Sequence, residues 1–437
     1  MSGRHLPRSF RKLSVSERRE ALRETLGLTD AELAQDAPFA DLADVMVESS
    51  VGVMPVPLGI AGGFLLDGES YDVPLATEEP SVVAAASYAA GIIARAGGFT
   101  TGADDPVMTA QVFLEPRADR HDSTESLAAA LEDERPQLEA VARGGLERMA
   151  GRGGGFRDLR IEPLAGLVKI EVDVDVRDAM GANLLNTLAE QVKQDAARLS
   201  GAQPLMAVLT NAARGRRARA WFAIPVAKLA RAGVPGPEVA RRIVAATEAA
   251  NSDAGRAVTH NKGVMNGISA LALATANDTR AIEAAAHAWA ARDGVYRSLT
   301  SFTVDGEKLR GFIDLPLAFA TVGGAVSFHP HAERVLALLG HPSAPTLSRI
   351  AAAVGLAQNF AAVYALVSEG IQHGHMRLHA TRVAYKAGAR GDRAREVGQA
   401  IWEQGDISEE AARRLLHPGE LQSGETESGQ TQSGGSA

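Results

Sequence analysis

The clearest pattern along the chain lies at residues 167–177. Val168, Ile170, Val172, Val174 and Val176 fall on one side, and Lys169, Glu171, Asp173, Asp175 and Arg177 on the other. That period of two predicts a strand with one buried face. Residues 180–199 switch to helical spacing, 107–114, 205–209 and 219–226 read as further strands, and 124–149 as a charged helix. The order approximates β-α-β-β-α-β, which predicts a ferredoxin-like split βαβ unit inserted between helix-rich regions.

Outside that unit, 14–27 reads as a helix opened by Ser14 with Glu17 three positions on. Residues 59–75 read as strands around an Asp67-Gly68 hairpin turn. Pro80 is expected at the first position of an alanine-rich helix reaching Arg95. Residues 235–293 are mostly helical in pattern, 299–325 return to strands, and 345–369 form a long helix. Helices at 376–391 and 407–416 make a small C-terminal unit, and the Gly/Ser-rich stretch 418–437 is expected to be a disordered tail. The class is α+β. Its expected partition is a large domain from 1–108 with 215–372, an inserted ferredoxin-like domain at 109–214, a helical flap at 373–417, and the tail.

Composition narrows the function classes. A chain of 437 residues can bury a large core in two or more domains. A net charge of -8 argues against nonspecific nucleic-acid binding by the whole surface, although Arg4, Arg8, Arg11, Lys12, Arg18, Arg19 and Arg23 make the start basic. The absence of cysteine excludes disulfides, thiolate metal sites and an enzyme-bound thioester. No signal peptide opens the chain, and the longest apolar run, 82–94, is too short to span a bilayer. The expectation is a cytoplasmic protein with no membrane and no nucleic-acid partner.

Candidate chemistry concentrates in a few segments. Lys262 stands in Thr259-His260-Asn261-Lys262-Gly263-Val264-Met265-Asn266-Gly267, with Asp278 sixteen positions on. A lysine among small and polar neighbours, with a carboxylate nearby, suits a buried cation that holds the oxygen of a polarised carbonyl. Asp278 equally suits a helix cap ahead of Arg280. Glu79, in Glu78-Glu79-Pro80-Ser81, reads either as acidic charge at a helix start or as a proton donor. His373, His375 and His379 invite a metal reading, but no carboxylate completes a ligand set, so no metal is expected. Asp178-Ala179-Met180-Gly181-Ala182-Asn183 is either a capped strand-to-helix turn or a helix start that offers amides to an anion. The Rossmann fingerprint is missing, because Gly151-Arg152-Gly153-Gly154-Gly155-Phe156 lacks the final glycine. Arg214, Arg216, Arg217 and Arg219 read as exposed strand ends more readily than as a phosphate site.

These segments, in the order in which they occur, resemble the 3-hydroxy-3-methylglutaryl-CoA reductase (HMG-CoA reductase) family in its bacterial class II form. The resemblance implies that Glu79, Lys262, Asp278 and His375 are catalytic, with Lys262 and Asp278 as partners and the Gly-His-Met segment marking His375 as a general acid. It implies a dinucleotide loop at Asp178, Ala179, Met180, Gly181, Ala182 and Asn183. Ser81, Asn211, Arg256, Asn266 and Gln358 match positions near the acyl group, and Arg11 a position near CoA. HMG-CoA, mevalonate and CoA would be the substrates and products, in a homodimer or a larger assembly of dimers with the sites at the interface. A C-terminal flap carrying His375 would close over them. The cofactor would be NADPH or NADH. Leu146 stands where NADH-specific relatives carry an acid, with Glu147 beside it, while Arg143 and Arg148 suit a 2′-phosphate, so the balance tips to NADPH. The family's Glu-Asn-Val-Ile/Val-Gly segment appears as Glu48-Ser49-Ser50-Val51-Gly52. Two alternatives stand beside this reading: a catalytically silent CoA-thioester-binding or regulatory paralogue, and an RNA-binding sheet, which the charged face of the 167–177 strand disfavours.

Overall fold

The computed structural model describes residues 10–26, 39–368, 370 and 372–417, without the side chains of 11, 22 and 372–378. The expected tail at 418–437 lies outside the described residues. Helix α1 (Val15–Leu26) opens with the reciprocal cap read from the sequence. Ser14 N donates to Glu17 Oε2 at 2.7 Å, and Glu17 N donates to Ser14 Oγ at 3.3 Å. After the short α2 (Ala40–Met46), strands β1 (Leu58–Leu66) and β2 (Glu69–Ala76) pair as a hairpin. Its two turn residues, Asp67 and Gly68, have φ of 51° and 92°, which matches the twist of the flanking strands. Helix α3 (Val82–Ala94) starts two residues later than the pattern predicted. Pro80 stays in the preceding turn, and Ser81 joins turn to helix at φ 74°.

Next come β3 (Thr100–Ala103), β4 (Val107–Glu115), α4 (Thr124–Asp133), α5 (Arg135–Gly145), α6 (Glu147–Ala150), β5 (Gly155–Leu164), β6 (Leu167–Asp175), α7 (Ala182–Ser200) and β7 (Gln203–Thr210). An antiparallel sheet of order β5-β6-β4-β7 buries Met108, Ala110, Val112, Leu114 and the valines of β6 against α4, α5 and α7. The β-α-β-β-α-β order is present, with different members from those expected. The predicted helix at 124–149 is three helices, since Pro136 supplies no amide donor and starts a new one. Strand β5 escaped the pattern because only Gly155 and Leu159 are buried on this charged edge strand. The strand expected at 219–226 belongs to another sheet.

That strand is β8 (Arg217–Pro225), followed by α8 (Gly236–Ser252), α9 (Ala254–Ala274), α10 (Thr279–Ala290), β9 (Thr300–Asp305), β10 (Lys308–Pro316), α11 (Pro330–Leu338) and α12 (Ala344–Leu366). The second antiparallel sheet has the order β3-β8-β10-β9. Helix α12 is long and apolar enough to cross a membrane, yet most of it is buried as the core of this larger unit. Helices α9 and α12 approach closely through glycines. A Cβ at Gly267 would lie 2.7 Å from Val354 Cγ1, and one at Gly355 would lie 2.6 Å from Ile268 Cδ1. Gly267, in the lysine segment, therefore serves packing. Helices α13 (Gln372–Lys386), α14 (Gly391–Glu403) and α15 (Glu409–Leu416) gather a small core around Ala380, Ala384, Val397 and Ile401. The sequence pattern had shown two of these three.

Candidate active site

Lys262 lies mid-way along α9 on a face left exposed among the described residues. Its ammonium pairs with Glu79 Oε2, an interaction between residues 183 positions apart. Glu79 sits in the turn between β2 and α3, where its amide donates to Thr77 Oγ1 at 3.1 Å. The left-handed Ser81 completes that turn, a conformation that costs a non-glycine residue about 1 kcal/mol or more and collects at functional sites. The expectation of a buried cation is corrected. The Lys262 and Glu79 side chains are 56% and 35% exposed, because among the described residues nothing packs over the outer face of α9.

Beneath Lys262 the helix is fixed by a buried polar set. Thr300 Oγ1 donates to Asn359 Oδ1 at 2.8 Å, so it receives the Nε2 proton of His260, also at 2.8 Å. Asn359 Nδ2 returns to His260 O at 3.0 Å. Asn261 Nδ2 donates to Arg297 O at 2.8 Å and its Oδ1 accepts Leu299 N at 2.9 Å. Burial, aided by the charge of Arg256, pushes the His260 imidazole down to about 4. His260 is thus neutral and structural at neutral pH. Sequence reasoning missed this set, since nothing in the residues around His260 signals burial against Thr300.

Gln358, on α12, is 5% exposed, and its buried Oε1 has no partner. It faces Gly267 across the α9–α12 contact, where a Cβ on that glycine would come 3.3 Å from Gln358 Cβ. Asn266 lies one turn beyond Lys262 and is half-buried. Arg256 is half-buried in the first turn of α9, whose Asp253 cap accepts its amide at 2.6 Å. Asn211 is exposed in the turn after β7. The side chain of Arg11 lies outside the described residues.

Asp278 does not join Lys262 within one chain. It caps α10, accepting Arg280 N and Ala281 N at 3.1 Å, and its carboxylate pairs with Arg280 at 3.5 Å. Asn277 N donates to Ala272 O at 2.8 Å, which pins this turn to the end of α9. Ala272 is ten residues beyond Lys262 along a continuous helix, a rise of about 15 Å. A lysine side chain reaches about 6 Å and leans toward the helix N-terminus, away from Asp278. The expected pairing of Lys262 with Asp278 is therefore excluded inside one copy.

His375 falls within α13, with its side chain outside the described residues. That helix touches the candidate site: Arg382 Nη2 donates to Glu78 O at 3.1 Å. Among the described residues no cluster of His, Cys, Asp or Glu could hold a metal.

The 178–183 loop has a different neighbourhood. Asp178 Oδ1 accepts Ala344 N at 2.7 Å, so this carboxylate serves the first turn of α12. Asp178 O accepts Thr321 N at 2.9 Å. Gly181 has φ 86°, and a Cβ there would lie 2.6 Å from Val176 Cγ1, so only glycine fits. No side chain caps α7, whose first amides stay available to an anion. These features fit a dinucleotide phosphate. Nearby, Leu146 is 1% exposed in the core, so that position faces inward. Arg143 stacks on Phe156 at 4.2 Å and pairs with Glu139 at 3.3 Å, while Arg148 is exposed.

The sequence pattern of the family described as hydroxymethylglutaryl-coenzyme A reductase matches residues 14–380. The chain belongs to that family. It is 42% identical over 424 residues to the 3-hydroxy-3-methylglutaryl-coenzyme A reductase of Archaeoglobus fulgidus, covering 93% of each. It is 34% identical to the probable enzyme of Borreliella burgdorferi over 87% of each chain. Among solved structures, the Streptococcus pneumoniae reductase matches with a TM-score of 0.73 and 39% identity, over 94% of this chain and 99% of that one. A class II structure of the same organism's enzyme, bound to NADPH in open conformations, matches with a TM-score of 0.72 and 39% identity, over 93% and 99%.

Proposed function

We propose that the protein is an HMG-CoA reductase that interconverts HMG-CoA with mevalonate and CoA through two hydride transfers. The observation that carries this reading is the Lys262–Glu79 pair on an exposed face of α9, with the unpartnered Gln358 amide oxygen buried against the same helix at Gly267. NADPH or NADH supplies the hydride. Lys262 holds the oxygen of the thioester and later of mevaldehyde as negative charge develops there. Glu79 delivers a proton to the mevaldehyde oxygen. His375 protonates the departing CoA thiolate, and the α13–α15 unit, tied at Arg382 to the Glu78 carbonyl, forms a flap that excludes water. Arg256, Asn211, Ser81, Asn266 and Gln358 orient the acyl group, and Arg11 the CoA.

Asp278 enters this set from a second copy in a dimer, because its own Lys262 is out of reach. The two chain positions differ in their frames too. Asn277 bonds both N and O of Ala320, and the adjacent Thr321 is bonded to Asp178, so Asp278 and the dinucleotide loop share one segment. We read the 109–214 unit as the dinucleotide domain and 373–417 as the flap, in a soluble cytoplasmic enzyme. We favour NADPH, since Leu146 offers no carboxylate to a ribose and Arg148 remains open to a 2′-phosphate. Initial rates with NADPH and NADH in both directions test the whole. Absence of HMG-CoA-dependent turnover would refute the activity, and faster turnover with NADH would refute the preference.

A further inference from the structure

Arg216 was one of four arginines that look alike in the sequence. Its surroundings set it apart. It is 3% exposed, whereas Arg214 is exposed and Arg217 and Arg219 share Asp104 and Asp314 at the sheet surface. It stands where the chain leaves the β5-β6-β4-β7 unit and enters β8. Its Nη1 donates to Ala179 O in the dinucleotide loop at 2.9 Å, and its Nη2 donates to Phe319 O. Its own carbonyl accepts Leu317 N at 3.0 Å. One guanidinium thus clasps the loop to the 317–322 segment, where Ala179 and Val322 also form a bridge.

Two neutral carbonyls do not require a cation. A neutral amide could tie them with a smaller desolvation cost. Burial pushes the guanidinium down to about 10, the carboxylates of Asp178 and Asp175 opposing that shift from beyond contact, so it stays charged at neutral pH. The charge lies against the loop whose helix-start amides carry no side-chain cap, buried where solvent screens it little and offset in part by Asp178 and Asp175.

We propose that Arg216 is a positioning residue for dinucleotide binding, fixing the 178–183 loop against the 317–322 segment and adding fixed positive charge behind the phosphate site. This rests on the reductase reading. The same segment carries the Asn277–Ala320 bonds, so Arg216 also sets the spacing between the dinucleotide loop and Asp278.

The test is binding of NADPH and of HMG-CoA, measured separately on the full-length protein and on Arg216→Met and Arg216→Lys. Arg216→Met should weaken NADPH by roughly tenfold or more and flatten its salt dependence. HMG-CoA affinity should stay within about threefold of wild type, since of the residues proposed for the acyl group only Asn211 lies in the turn that leads to Arg216. Arg216→Lys, which keeps the charge but not the two-pronged reach, should fall between, with the salt dependence retained. A merely structural residue would lower the thermal midpoint and weaken both ligands together, or leave NADPH affinity unchanged, and either result overturns the inference. Should Arg216→Met fail to fold, Arg216→Lys decides by the same NADPH-to-HMG-CoA comparison. Wild-type protein that bound no dinucleotide would sink the reductase reading and this inference with it. Wild-type binding with unchanged variant affinity would sink the inference alone.

Discussion

Two inactive variants should restore each other. Lys262→Ala removes the group proposed to stabilise the developing oxyanion, an expected loss of roughly a hundred- to a thousandfold in turnover. Asp278→Ala removes a carboxylate in the turn beyond the end of α9, pinned to Ala272, which already lies about 15 Å along the helix from Lys262. If each site joins Lys262 of one copy to Asp278 of the other, a mixed dimer holds one doubly damaged site and one intact site. Random pairing of equal amounts makes half of the dimers mixed, so activity should recover to roughly a quarter of wild type in a two-fold dimer. Mixed dimers isolated by two different affinity tags should reach roughly half. The assay is HMG-CoA-dependent oxidation of NADPH after co-expression, with each variant alone as control. If every site were built within one chain, no pairing could yield an intact site. Recovery no greater than the sum of the single variants, in a verified mixed dimer, would refute the argument.

His375→Gln should leave HMG-CoA affinity largely intact while slowing thioester reduction; a defect confined to mevaldehyde reduction would contradict its assigned role. His260, held down to about 4 in the fold against 6.5 ordinarily, makes the unfolded chain bind a proton first as pH falls. The stability it contributes is complete above about 6.5 and is lost toward about 4, up to about 3 kcal/mol; urea midpoints at pH 7.5 and 5 should fall less in His260→Gln than in wild type, and equal losses would refute this. Gly267→Ala forces a Cβ to 2.7 Å from Val354 Cγ1. Overpacking of about 1–3 kcal/mol less a helix-propensity gain of about 1 predicts a net loss of ~0–2 kcal/mol, read as a urea midpoint at or below that of wild type with unchanged slope.

What could be read in the residues depended on whether the signal was local. The alternation of 167–177 appears as β6 because every second side chain meets the helices, a property written along the strand itself. The Ser14–Glu17 cap and the Asp67-Gly68 turn are equally local. Strand β5 was invisible because an edge strand with a charged outer face has too few buried positions to set a period. At the site, Glu79 and Lys262 meet as the family resemblance led one to expect. Sequence proximity misled for Asp278: sixteen residues suggest nearness, but an unbroken helix spends them on distance. Arg216 among its neighbours shows the same limit, since only the crossing of two chain segments buries one arginine of four.

The carboxylate of Asp178 has a bearing on redesign. It belongs to the proposed dinucleotide loop by position and to the start of α12 by hydrogen bond, 166 residues away. The loop is therefore not an exchangeable cassette. Grafting a relative's version to alter coenzyme choice would import a partner for a helix terminus that the graft does not include. Any difference at Ser343 or Ala344 would be felt as a shift of the long interior helix and, with it, of Gln358. Successful exchange of reducing power in this scaffold should come from the exposed positions around Arg148, where side chains can change without disturbing the interior.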